Sequence, residues 1–299
     1  MNAVEMSGVT KSFGAVTAVR DLSLIVPTGS VYGFIGPNGS GKTTTIRMIM
    51  RIFYPDSGDI RVFGEAHSQA ATDRIGYLPE ERGLYKKMKV QDVLTFYAKL
   101  KGFNQPKAEI DAWLARLGLS DWANKRVETL SKGMAQKIQF VAAVVSRPEL
   151  VILDEPFSGL DPVNLDVLRD AIVSLKRDGS TVIFSTHDMS AAEKMCDQIF
   201  MIYKGEKVLD GTLASIQDKY GADTIRLRLE DAGCLSALQG VDHVKDFGAY
   251  QEIRLGDGVD AQQILSTIAA RTRVNLFEVA QPSLHDIFVR IAGTEAQAS

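Results

Sequence analysis

The first thirty residues alternate between apolar and polar side chains, which is the period of a half-buried β-strand. The alternation predicts antiparallel strands over residues 4–10 and 22–26, followed by a turn at residues 27–29. Two later runs, residues 150–153 and 181–185, are apolar on both faces, as strands inside a parallel sheet are. Further strands are predicted over residues 31–35, 59–63 and 75–78.

Helical spacing of apolar residues replaces this pattern between about residues 89 and 145. Helices are also predicted over residues 42–52 and 162–176, the second of which begins with a proline and is closed by Asp178-Gly179. Buried strands that alternate with helices indicate an α/β fold with a parallel sheet. The helical stretch at 89–145 is therefore predicted to be a subdomain inserted into that sheet.

The composition shifts near residue 220, which predicts a domain boundary there, with residues 1–220 before it and 221–299 after it. The second part has the order β-α-β-β-α-β, which resembles a split βαβ unit. Its strands are predicted over 224–230, 242–247, 251–255 and 273–280, and its helices over 233–239 and 260–271. Ser283 and Asp286 form a capping-box pattern that starts a last helix.

A glycine-rich segment, residues 36–44, follows the strand at 31–35 and has the form G-x-x-x-x-G-K-[ST]. Glycines let backbone N–H groups point at phosphate oxygens, and the following helix presents its positive N-terminus. Lys42 can reach the β and γ phosphates, and the Thr43 hydroxyl can ligate Mg²⁺. A chance match is the alternative, but the position between strand and helix favours a nucleotide triphosphate site. Its residues are Gly36, Pro37, Asn38, Gly39, Ser40, Gly41, Lys42, Thr43 and Thr44.

Two carboxylates, Asp154 and Glu155, end the apolar strand at 150–153. Ligands of parallel sheets lie at the carboxyl ends of the strands, so Asp154 is placed to hold Mg²⁺ and Glu155 to polarise a water. An ordinary solvated acidic pair is the alternative, which the upstream phosphate loop makes less favourable. His187 ends the neighbouring strand, within reach of a γ-phosphate, although a lone histidine is more often structural. The three other histidines, His67, His243 and His285, are interpreted as surface residues.

The bulk properties exclude several classes of protein. With 299 residues, 45% apolar content and a net charge of −3, the chain suits a large core and lacks a broad basic surface for nucleic acid. Cys196 and Cys234 give no disulfide framework, which indicates a reducing, cytosolic setting. We find no signal peptide and no apolar stretch long enough to cross a bilayer, so any membrane-spanning part is expected on another chain.

Taken in order, the motifs resemble those of the ATPase subunit of an ABC transporter over about residues 1–220. They are the phosphate loop, the loop at Glu80, the Leu-Ser-x-Gly sequence, the Asp-Glu pair, a Ser-Gly-Leu-Asp sequence and His187. Residues 75–85 and 282–288 look like the exporter subclass, which has a separate type-two permease and a C-terminal accessory domain. The resemblance implies a P-loop NTPase fold with an antiparallel β subdomain and an inserted helical subdomain, followed by a small α+β domain.

The family resemblance implies ATP and Mg²⁺ as cofactors and a head-to-tail homodimer on the inner face of the cytoplasmic membrane. ATP on the phosphate loop of one copy would be closed by the signature of the other, which consists of Ser131, Lys132, Gly133 and Met134. On its residues alone, Ser131 is better explained as a plain helix N-cap. Asp161 would bridge the two copies beside Glu155. Phe13 matches the aromatic residue that stacks on adenine, with a buried core phenylalanine as the alternative.

By the same resemblance, Lys42, Glu155 and His187 are the catalytic residues, and Thr43, Glu80 and Asp154 hold the metal. Glu80 stands where the family usually has glutamine, so it adds negative charge beside the phosphates. Lys132 and Met134 stand where glycine and glutamine are usual, and the positive charge of Lys132 is a candidate to offset Glu80.

An export ATPase coupled to a membrane permease is the leading functional prediction. A soluble ABC-type ATPase acting on ribosomes or DNA is the alternative, disfavoured by the single ATPase domain and the acidic balance. A nucleotide-gated scaffold with slow turnover is suggested by Glu80 alone.

Overall fold

The structure is a computed structural model that describes residues 1–66, 68–81, 83–221, 223–231, 233, 235, 238–256 and 258–298. His67, Cys234 and much of the helix predicted over 233–239 lie outside the described residues. The chain forms two compact units, Met1–Leu213 and the part from Ala214 onward. The boundary between the units therefore lies at residues 213/214, near the start of the helix Leu213–Tyr220. The sequence predicted the boundary at residues 220/221, after that helix.

The described residues of the first unit form ten strands and seven α-helices. The strands are β1 (Asn2–Phe13), β2 (Val16–Pro27), β3 (Val31–Ile35), β4 (Ser57–Val62), β5 (Glu65–Ala66), β6 (Ile75–Leu78), β7 (Leu150–Asp154), β8 (Thr181–Thr186), β9 (Gln198–Tyr203) and β10 (Glu206–Gly211). The helices are α1 (Lys42–Ile49), α2 (Gln69–Asp73), α3 (Val90–Leu100), α4 (Lys107–Arg116), α5 (Lys132–Val144), α6 (Pro162–Arg177) and α7 (Met189–Met195), with two short 3₁₀ turns at 120–122 and 127–129.

Two sheets organise this unit. One has the order β2-β1-β4-β5, and its strands pair antiparallel, as the alternating pattern predicted. The other has the order β10-β9-β3-β8-β7-β6 and is parallel except for β10. Strand β3 lies between β8 and β9, so the phosphate loop leaves the middle of the parallel sheet.

The first helix, α1, ends earlier than the sequence predicted, at Ile49 instead of residue 52. Arg51 adopts a left-handed conformation with φ of 58°, which a continuing helix does not allow. Strand β4 also differs from its predicted range of 59–63, because it begins at Ser57 and ends at Val62.

Side chains from the two faces of the parallel sheet enter two different cores. Val151 and Leu153 of β7 pack with the helical part of the unit, including Trp113 and Phe140. Leu150 and Ile152 of the same strand pack with α1 and the antiparallel sheet. Strand β7 is therefore buried on both faces, as its continuous apolar sequence indicated.

Gly76 in β6 marks the closest approach between this sheet and the helical part. A Cβ at this position would lie 2.1 Å from the backbone oxygen of Ala143 in α5 and 2.8 Å from Pro148. We expect Gly76→Ala to lower the free energy of unfolding by about 3 kcal/mol, because backbone must move to admit the methyl group. Urea unfolding measures this. Gly83→Ala is the control, since no atom lies within 4 Å of its added Cβ, and equal midpoints for both variants would contradict the packing described.

The second unit begins with α8 (Leu213–Tyr220) and contains an antiparallel sheet of order β12-β13-β11-β14. The strands are β11 (Thr224–Leu229), β12 (Val241–Asp246), β13 (Gln251–Leu255) and β14 (Val274–Ala280), and the helices are α9 (Ala261–Ala269) and α10 (Leu284–Ala298). This order is that of a split βαβ arrangement. The capping box of α10 is present, since the amide of Asp286 donates to Ser283 Oγ at 3.2 Å and its carboxylate accepts from the Ser283 amide at 3.3 Å. None of the helices in the described parts of either unit is long and apolar enough to cross a membrane.

Candidate functional site

The glycine-rich loop between β3 and α1 is shaped by positions that exclude a side chain. A Cβ on Gly36 would lie 2.2 Å from the backbone oxygen of Ile202, and one on Gly41 would lie 2.6 Å from that of Ala18. Both glycines have positive φ, 157° and 110°. No side chain caps α1 at Gly41, so the first N–H groups of this helix are available to an anion.

The Lys42 side chain lies across this loop and is only 6% exposed. Its ammonium donates to the backbone oxygens of Gly36 at 2.7 Å and Pro37 at 3.1 Å. Glu155 Oε1 is 3.9 Å from the same nitrogen. Burial lowers the pKa of Lys42, and the negative charges of Glu155, Asp154 and Glu80 partly offset that effect. The ammonium is thus a buried cation among several carboxylates.

Asp154 at the end of β7 is 1% exposed, and its two oxygens have different surroundings. Oδ1 accepts from Ser185 Oγ at 2.5 Å and from Thr43 Oγ1 at 3.4 Å. Oδ2 is buried and lacks a partner among the described atoms. A buried carboxylate oxygen without a partner is costly unless a cation or donor meets it. Together with the adjacent Thr43 hydroxyl, this hard oxygen fits a Mg²⁺ ligand set.

Glu155 leaves the strand in a left-handed conformation, with φ of 49°, which separates its side chain from that of Asp154. Its amide donates to Ser185 Oγ at 3.0 Å. Both carboxylate oxygens lie 3.1 Å from His187 Nδ1, and the His187 side chain is 60% exposed. The structure therefore brings the predicted catalytic residues Lys42, Glu155 and His187 together.

Ser185 was missed as a site residue by the sequence reasoning, although it bonds the Asp154 carboxylate and the Glu155 backbone amide. It pairs with Asp154 across the parallel strands β7 and β8, donates to that side chain and accepts from the Glu155 amide. The sequence does show a serine near the end of the apolar run at 181–185. Its position opposite Asp154 can be recognised only when the pairing of β7 and β8 is known.

Replacement of this hydroxyl should destabilise the fold. We expect Ser185→Ala to cost about 2 kcal/mol of unfolding free energy, because the buried Asp154 carboxylate and the Glu155 amide each lose a partner. Ser174→Ala is the matched control, a buried serine whose hydroxyl bonds only the Ala171 carbonyl of its own helix. Chemical denaturation of both variants tests this, and equal losses would contradict the assignment.

A cavity of about 230 Å³ opens over the loop, and most of the residues predicted to bind the phosphates and the metal line it. It is lined by Ala18, Asn38, Gly39, Gly41, Lys42, Thr43, Thr44, Glu80 and Glu155. Glu80, which the sequence placed at the metal only through family resemblance, thus faces the same space as the phosphate loop.

The predicted signature residues, 131–134, are not part of this lining as far as the chain is described. Ser131 caps α5 by accepting the amide of Met134 at 3.2 Å, so the plain N-cap interpretation is correct for the isolated chain. Asp161 caps α6 through the Asn164 amide at 3.0 Å, which lowers the pKa of its carboxyl. Gly133 lies against Asn164, so signature and Asp161 share one surface.

Phe13, at the end of β1, is 45% exposed and is therefore not a core residue. Its ring packs edge to face on Phe53, with centroids 5.3 Å apart, and the Lys11 ammonium lies 5.5 Å from it. An exposed aromatic face of this kind is available for stacking. His243 and His285 are exposed, as predicted.

Two families match parts of the chain. Residues 19–158 match the family described as ABC transporter, and residues 211–292 match the C-terminal domain of ATP-binding proteins like DrrA1-3.

Individual relatives cover nearly the whole length. YhaQ of Bacillus subtilis (strain 168), an uncharacterized ABC transporter ATP-binding protein, is 41% identical over 95% of this chain and 97% of its own length. The Nod factor export ATP-binding protein I of Rhizobium sp. (strain N33) is 32% identical over 99% of this chain and 98% of its own. A solved structure of the ATP-binding subunit of an ABC transporter superposes with a TM-score of 0.69 at 28% identity, over 73% of this chain and 93% of the other.

Proposed function

The chain belongs to the ATP-binding subunits of ABC transporters, and from this premise we propose that it powers export through a separate membrane-spanning permease. Members of the family hydrolyse ATP, and the chain is an ATPase of this kind. The likeness is to transporter subunits, which disfavours the alternative of a soluble ABC-type ATPase acting on a macromolecule. The direction of transport is taken from the exporter relative and from the DrrA-like C-terminal part.

One observation carries the ATPase assignment: Lys42 and Glu155 line the cavity over the phosphate loop, and His187 Nδ1 lies 3.1 Å from the Glu155 carboxylate. The triphosphate would lie on the backbone amides of residues 36–44, with the Lys42 ammonium between its outer phosphates. Glu155 is placed to accept a proton from the attacking water. His187 Nδ1 contacts the Glu155 carboxylate and its side chain is exposed, so it would be available to the γ-phosphate.

Thr43, Asp154 and Glu80 are the residues that would hold Mg²⁺, which when bound neutralises phosphate charge. The unpartnered Oδ2 of Asp154 supports this assignment most strongly. Ser185 keeps the other oxygen of that carboxylate fixed, so the direction in which Oδ2 points is set by the protein.

The active form in this proposal is a homodimer with two composite sites. The signature, Ser131, Lys132, Gly133 and Met134, shares a surface with Asp161 but not with the cavity of its own chain. An N-terminal helix end with an exposed serine is an anion site, so a second copy can use it to close the first copy's nucleotide. Asp161 would then lie at the boundary between the copies, and Phe13 would stack on adenine.

Residues 1–220 act as the nucleotide-binding domain in this scheme, with the helical subdomain at about 89–145. Residues 221–299 are an accessory domain that supports dimerisation or closure. The protein would work on the cytoplasmic side of the membrane, held there by its permease.

Purification from membranes tests the transport assignment. A tagged full-length chain extracted in mild detergent should bring down a polytopic membrane protein, and the complex should hydrolyse ATP. Isolation only with ribosomes or nucleic acid, and without a membrane protein, would contradict it.

A further inference from the structure

Glu80 places a full negative charge at a position where the family resemblance leads one to expect a neutral amide. Its side chain lines the cavity with Lys42, Thr43 and Glu155. It lies close enough to raise the pKa of the Lys42 ammonium, alongside the two carboxylates of the strand end. Three carboxylates therefore act on one buried ammonium, and these four side chains together carry net negative charge.

A triphosphate is itself strongly anionic, so it meets repulsion from these carboxylates. Removal from bulk water strengthens that repulsion, because the effective dielectric constant falls. The Lys42 ammonium cannot offset it alone, since it is already shared between Glu155 and two backbone carbonyls. Another cation is needed between the phosphates and the protein.

The described residues supply only part of the ligand set that such a cation needs. The described residues contain no cluster of three or more His, Cys, Asp or Glu side chains suited to a metal. They do contain Oδ2 of Asp154, a buried carboxylate oxygen without a hydrogen-bond partner among the described atoms. The remaining coordination positions must come from water and from the phosphates themselves.

We infer that Glu80 makes nucleotide affinity in this chain unusually dependent on a divalent cation. The inference rests on the proposed nucleotide site. With Mg²⁺ present, the Glu80 carboxylate faces a cation and becomes a favourable neighbour. Without it, the same carboxylate faces phosphate oxygens. The charge on residue 80 thus couples the two ligands, and coupling of this kind is measured as a ratio of affinities.

The test is equilibrium binding of a fluorescent ATP analogue to the full chain, once with excess Mg²⁺ and once with EDTA. Glu80→Gln should raise the affinity in EDTA about tenfold, since it removes one charge near the phosphates. In Mg²⁺ the same substitution should lower the affinity by about threefold, because it removes a carboxylate that faces the cation. Glu80→Asp keeps the charge and should bind in EDTA as weakly as the native chain. Glu81→Gln is the matched control, an adjacent exposed carboxylate outside the cavity lining, and should change neither affinity.

Two results would overturn the inference. The first is a ratio of the affinity in Mg²⁺ to the affinity in EDTA that is the same in Glu80→Gln as in the native chain. The second is a Glu80→Asp variant with the affinities of Glu80→Gln, because the effect would then depend on side-chain shape and not on charge. A thermal unfolding curve of each variant shows that it is folded. Failure of the underlying nucleotide site is distinguishable, since the native chain would then not bind the analogue even with Mg²⁺.

Discussion

Replacement of Lys42 by alanine should abolish nucleotide binding, with affinity for ATP·Mg²⁺ reduced at least about 100-fold. The ammonium is buried, crosses the phosphate loop and lies 3.9 Å from Glu155. Its loss leaves Asp154, Glu155 and Glu80 without their nearest cation, so the site repels phosphate as well as losing two charge-assisted hydrogen bonds. Isothermal titration calorimetry with ATP measures the effect.

The control for this variant is Lys207→Ala, which removes an exposed lysine on β10. It should bind ATP like the native chain. Native affinity in Lys42→Ala, with the fold intact by circular dichroism, would mean that nucleotide binds elsewhere.

Glu155→Gln should keep ATP binding and lower the rate of hydrolysis by about 10²- to 10³-fold, because an amide cannot accept the proton of the attacking water. The substitution keeps the shape of the side chain and its distance to His187. Under saturating ATP·Mg²⁺ the variant should accumulate as a dimer, since closure depends on binding and opening depends on hydrolysis.

Steady-state phosphate release and light scattering after gel filtration measure the two effects. Glu149→Gln is the control, a carboxylate at the other end of the same strand region that pairs with Arg74 on the surface. A Glu155→Gln protein that stays monomeric with ATP·Mg²⁺ would count against the shared site.

The parts of the fold that follow from local patterns could be predicted from the sequence. Strand β3 and the phosphate loop depend on a run of apolar residues and on glycines whose neighbours exclude a Cβ. The buried strands β7 and β8 followed from apolar runs, and the capping box of α10 from two residues three positions apart.

Other features depend on contacts between distant residues, and the sequence did not predict them. Strands β9 and β10 extend the same sheet, and the sequence analysis placed neither of them, although residues 199–202 of β9 form a buried apolar run like that of β7. The early end of α1 depends on one left-handed residue, Arg51. Ser185 became a site residue only because β8 pairs with β7 in the register that sets it beside Asp154. The placement of Glu80 was predicted, but only through the family resemblance; the structure gives its physical reason, since the loop that carries it follows β6, which neighbours β7.

The proposed role of Ser131 at the nucleotide depends on a second copy of the chain. Its hydroxyl is used as an N-cap and does not line the cavity. In the proposed homodimer, this exposed helix N-terminus beside Asp161 would meet the partner's nucleotide, and the structure of one chain does not include that contact.

A mixing experiment tests the composite site most directly. The Lys42→Ala variant has an inactive phosphate loop and an intact signature. The Ser131→Glu variant has an intact phosphate loop and an inactive signature. Each homodimer therefore lacks a complete site and should be inactive. In a mixed dimer one site is intact, formed by the phosphate loop of one copy and the signature of the other. An equal mixture should recover up to about a quarter of native ATPase activity, because half the dimers are mixed and each has one working site of two. Activity no greater than the sum of the two separate variants would contradict a nucleotide shared between copies.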